Sequence, residues 1–122
     1  MLGHGYGTFS HMVWTTYGVG GTAHNGWLKM LVEMGLIALG SLLVLFLYYF
    51  RAGYYIVKRE KDLMLKGFAL GYMGIIPAIL VANMTGQRFN HVDLLAIFWM
   101  LSACIIKLKI IIVQERQEAG LL

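Results

Sequence analysis

His24 and Asn25 stand just ahead of a long apolar run. A neutral imidazole at a water–membrane boundary can take a proton from a hydroxyl, so His24 is a candidate general base. The same pair also reads as a helix cap, with Asn25 supplying the capping oxygen. Upstream, Gly3-His4-Gly5-Tyr6-Gly7 forms a G-x-G-x-G pattern. Either Gly3, Gly5 and Gly7 shape a backbone cradle whose N–H groups hold a diphosphate, or the run is a flexible turn. No strand precedes it, unlike a nucleotide-binding fingerprint. Arg88 offers a guanidinium to a pyrophosphate, or an anchor to lipid headgroups. Glu33 lies one helical turn from Lys29; pairing is the simplest use of both, and a role as acid or base is the alternative for Glu33. No two of the four histidines are four apart on a helix, and Cys104 falls inside an apolar span, so no metal site is predicted.

The elements that must position these groups are membrane helices. The sequence of 122 residues is 59% apolar and 13% charged, about half the charged share of a soluble domain. Mean hydropathy is +0.69. The predicted class is therefore all-α, a transmembrane helix bundle. Three apolar stretches are read as spans: 28–50, 67–84 and 94–113. The first would reach about 34 Å, enough for a hydrocarbon core of roughly 30 Å. Residues 1–26 carry no Lys, Arg, Asp or Glu and many glycines, which predicts an irregular arm. Met12–Tyr17 within it suits an interfacial piece. Pro77 is expected to kink the second span. Gly67, Gly71 and Gly74 give that span a small-residue face for close helix packing, with helices beyond these three. With one cysteine, no intrachain disulfide is possible.

Eight of the ten basic residues fall between the first two spans or at the end of the third; only Lys29 and Arg88 do not. The positive-inside rule then places the connector 51–66 and the C-terminal tail in the cytoplasm. The glycine-rich arm, His24 and the Arg88 loop come to share the extracytoplasmic side. The basic connector reads as a topology signal and lipid contact, not a nucleic-acid surface.

His24-Asn25, nine further residues, then Gly35 and Ala38 resemble the short signature of the O-antigen ligase and O-antigen polymerase family. Ala38 stands where that family more often has Gly or Thr. Gly3-His4-Gly5-Tyr6-Gly7-Thr8-Phe9 is similar to the family's upstream G-x-G-x-G-x-F element, and Asn83-Met84-Thr85-Gly86 and Phe98-Trp99 also look alike. The resemblance spans nearly the whole sequence. It implies the C-terminal part of a larger polytopic bundle in the bacterial inner membrane. It implies transfer of a glycan from an undecaprenyl-diphosphate carrier to a lipid A–core or glycan acceptor, without a cofactor. His24 falls on the family's functional histidine. The family's essential arginines lie mostly in upstream outer loops, and Arg88 is not matched to one of them. A polymerase of the same family, a transport-type membrane protein, and a truncated non-catalytic chain are the alternative readings.

Overall fold

The computed structural model describes residues 3–5, 7–18, 25–86 and 91–120. Among them are four helices and no strand: α1 (Thr8–Tyr17), α2 (Gly26–Arg59), α3 (Leu63–Ala82) and α4 (Val92–Glu118). The last three are long and apolar enough to cross a membrane. The chain divides into two compact units, Met1–Leu45 with Ile79–Val92, and Phe46–Ala78 with Asp93–Leu122.

Three expectations change. The arm is not irregular throughout, because α1 forms in its glycine-free decapeptide. Gly7 and Gly18, at φ 84° and 65°, bracket that helix in the left-handed region open to glycine. The Thr8 hydroxyl ties its start to the His4 and Gly5 carbonyls at 2.8 and 2.7 Å. Secondly, α2 continues through the basic residues to Arg59, since Arg, Lys and Tyr extend a helix and charge does not end one. The stop comes from local polar bonds: Glu60 Oε1 accepts the N–H groups of Lys61 and Asp62, and Asp62 Oδ1 caps α3 through the Met64 N–H at 2.8 Å. Thirdly, α2, expected as one regular span, is broken at Gly35, φ 83° and ψ 177°, while α3 stays helical through Pro77. Proline deletes one donor but keeps a helical φ; only glycine takes up that Gly35 conformation readily.

The second unit has its core around the Phe98 ring. Phe46 meets that ring edge-on at 5.4 Å, and Tyr72 stacks on it at 6.1 Å. Burying a tyrosine requires a partner for its hydroxyl. Tyr72 Oη lies 2.6 Å from Ser102 Oγ, and Ser102 Oγ donates to the Phe98 carbonyl at 2.7 Å. Serine has one proton to give, so Tyr72 is the donor to Ser102. Lys109 places Nζ 5.2 Å from the centre of the Tyr48 ring, where a cation–π contact holds the end of this lysine. A Cβ built on Gly67, Gly71 or Gly74 would meet nothing within 4 Å, so the small-residue face of α3 is open.

The donor order predicts an asymmetry. Ser102→Ala strands the Tyr72 hydroxyl and should destabilise by about 1–3 kcal/mol, whereas Tyr72→Phe leaves Ser102 bonded to Phe98 and should cost about 0.5–1 kcal/mol. Reversible unfolding in mixed micelles measures both; equal losses would show the donor order to be wrong.

Candidate functional site

The head of α2, in the first unit, gathers most of the described residues that the sequence singles out. Asn25 caps this helix: its Oδ1 accepts the N–H groups of Trp27 and Leu28 at 3.0 and 3.2 Å. That satisfies two donors which no helical carbonyl can reach. A third donor, the Gly26 N–H, goes to the Asn83 carbonyl at 2.9 Å. The Trp27 indole N–H goes to the Leu80 carbonyl at 3.0 Å. Leu80 has that carbonyl to offer because Met84 N–H bonds to Val81 instead, tightening the last turn of α3. A Cβ on Gly26 would lie 2.8 Å from Asn83 Oδ1 and 2.9 Å from the Gly86 carbonyl, so only glycine fits there. Thus the start of α2 and the end of α3 complete each other's unpaired backbone groups. The described ends of these two stretches, Gly26–Trp27 and Leu80–Gly86, therefore lie together.

Ten residues after the cap, the break at Gly35 frees carbonyls inside α2. A residue at φ 83° and ψ 177° interrupts the bonds that Leu36 and Ile37 would donate to Val32 and Glu33. The glycine-rich arm supplies the replacements. His4 N–H bonds to the Val32 carbonyl and Gly5 N–H to the Glu33 carbonyl, both at 2.9 Å. The arm lies so close that a Cβ on Gly3 would collide with the Glu33 carbonyl. Gly5 itself sits at φ 100°. The N–H groups of His4 and Gly5 are therefore directed at α2 and not outward to an anion. Gly7 starts α1 instead.

The chain matches no protein-family model, no curated protein and no solved structure.

His24 and Arg88, the expected base and phosphate contact, lie outside the described residues. Of the other sequence-predicted site residues, Gly3 and Gly5 join the head of α2 through the arm, Asn25 forms its cap, and Gly7 stands one step away at the start of α1. Among the described residues no cluster of three metal-ligating side chains occurs. Glu33 differs from the simplest sequence reading, a pair with Lys29. Glu33 is 4% exposed, and its Oε1 has no hydrogen-bond partner among the described residues, Lys29 included. The signal was its position: an acid two residues before a glycine inside an apolar run, where a pairing rule based on helical spacing takes no account of depth.

Gly3 and Gly35 are thus two ends of one device, and each should be irreplaceable for the same reason. Gly35→Ala forbids the break and Gly3→Ala forbids the approach, at about 1–3 kcal/mol each. Both should release the arm, raising amide hydrogen exchange at His4 and Gly5 by roughly tenfold or more while the α4 amides stay unchanged. Protection retained at His4 and Gly5 in Gly35→Ala would contradict the coupling.

Proposed function

We propose that this chain takes part in glycan transfer from an undecaprenyl-diphosphate carrier to a lipid A–core or glycan acceptor, as an O-antigen ligase-like membrane glycosyltransferase. One observation carries the reading. The two stretches that resemble the family's signature elements, Gly3–Phe9 and His24–Ala38, are bonded to each other through His4, Gly5, Val32 and Glu33. A chance likeness of two short motifs gives no reason for their backbones to serve one another.

The chemistry asks little of the protein. A sugar on a diphosphate already has its leaving group. The acceptor hydroxyl must lose a proton, and charge growing on the phosphates must be offset. His24, next to the Asn25 cap, is the base in this proposal, and Arg88 the phosphate contact. Gly3, Gly5 and Gly7 shape the arm docked on α2. The basic connector faces the cytoplasm, and the head of α2 faces the extracytoplasmic side of the inner membrane. Whether the acceptor is lipid A–core or a second lipid-linked glycan separates ligase from polymerase.

A second reading, a transport-type membrane protein, draws support from the buried Glu33 beside a broken helix, since interrupted spans and interior carboxylates are how transporters hold solutes. The two separate on one variant. In native membranes, His24→Ala should lower glycan transfer by about 10²-fold or more, with the protein still inserted at normal abundance. Transfer from a radiolabelled lipid-linked glycan measures it. Unchanged transfer in that variant removes His24 as base.

A further inference from the structure

In the second unit an open groove of about 180 Å³ runs between α2 and α4, lined by Tyr48, Ile106, Lys109, Ile110, Val113 and Gln114. Ile106, Ile110 and Val113 recur at helical spacing and form one apolar stripe of α4. Tyr48, Lys109 and Gln114 add a phenol, an ammonium and an amide. The volume is several times the roughly 30 Å³ share of one water, yet below the roughly 300–1,000 Å³ of a pocket that encloses a small molecule. Such a groove holds a length of hydrocarbon chain, not a whole soluble ligand.

Lys109 gives the groove its charge. Its Nζ lies 5.2 Å from the centre of the Tyr48 ring. The ring face steadies the ammonium but is no oxygen acceptor, so the N–H donors are left for another group. Among the described residues Lys109 makes no hydrogen bond and no ion pair, with Glu115 on the same helix included. Depth matters as well. From Val92, the start of α4, a helix rises about 26 Å to Lys109, close to the roughly 30 Å thickness of a hydrocarbon core. The ammonium therefore stands near the level where lipid phosphates begin. The unit around it is positive: it holds every basic residue except Lys29 and Arg88, eight against five acids. Arg51, one turn along α2 from Tyr48, is exposed on the same helix face.

We propose that this groove binds one anionic phospholipid. An acyl chain lies against Ile110 and Ile106. The phosphate sits at the basic end of the groove, where it accepts hydrogen bonds from the Lys109 ammonium and the Gln114 amide. Charge selects the headgroup. A zwitterionic lipid brings its own cation up to the phosphate, against Lys109 and Arg51, whereas a phosphatidylglycerol headgroup brings none. The site belongs to the second unit and is independent of the transfer chemistry proposed for the first.

Photocrosslinking of the full chain in phosphatidylcholine nanodiscs tests the site. Phosphatidylglycerol with a diazirine on one acyl chain should label the α4 peptide that contains Ile106 and Ile110. Unlabelled phosphatidylglycerol should displace the probe roughly fivefold better than unlabelled phosphatidylethanolamine, the factor expected of one lysine beside an anionic headgroup. Lys109→Gln should lower the labelling by a similar factor, roughly fivefold, and Lys109→Arg should keep most of it. Lys107→Gln removes the same charge two residues away, from an exposed position, and should change the labelling by less than about twofold. Equal displacement by the two competitors overturns the proposal, as does label found only outside this peptide. Equal losses in Lys107→Gln and Lys109→Gln overturn it too, since diffuse surface charge would then account for the binding. If Lys109→Gln does not insert, the competition in the wild-type chain decides by itself.

Discussion

A peptide group removed from water must find its hydrogen bond within the protein, and in an apolar span that demand has no alternative. The described structure follows from it. Where α2 begins, three donors would be stranded, and Asn25 and Asn83 take them. Where α3 ends, a carbonyl is left over, and the Trp27 indole takes it. Where Gly35 breaks α2, carbonyls are released, and the arm supplies His4 and Gly5. In the second unit the same demand threads Tyr72 through Ser102 to Phe98. Apolar packing around Phe98 gives that unit its bulk. Within each unit these polar closures pair the groups that its packing takes out of water.

The spans were legible because their signal is additive: a window of apolar residues announces a helix whatever surrounds it. Their ends were not. Arg51 to Arg59 looked like a connector on charge, yet the chain stays helical until Glu60 turns its carboxylate onto the following amides. The Gly35 break was invisible for a different reason. Glycine inside an apolar run is equally compatible with close packing, with a kink or with nothing, and what decides is a partner at His4 and Gly5, far upstream. Pro77 drew the expectation of a kink because its effect is local and general. The Gly35 break lies where a distant stretch of chain compensates it.

The candidate site was legible in part, and unevenly. Asn25 was open to two readings, and its oxygen is a cap. The glycine run was open to two readings as well, and its donors at His4 and Gly5 face α2. A motif whose glycines serve backbone approach looks the same in sequence as one whose glycines cradle an anion, since both need the same missing Cβ. Glu33 was read with Lys29 because helical spacing permits the pair; spacing carries no information on burial.

The absence of charge from residues 1–26 now has a physical cause. The arm meets α2 at Val32 and Glu33, about 11 Å along the helix from the Asn25 cap. A lysine or aspartate packed against this apolar helix would be costly, whereas a glycine-rich backbone that gives two N–H groups to α2 is not. Histidine is the exception such a segment tolerates, because it can be neutral. A charge-free, glycine-rich arm is therefore the composition expected of a segment whose backbone must pack directly on an apolar helix and repair its broken hydrogen bonds.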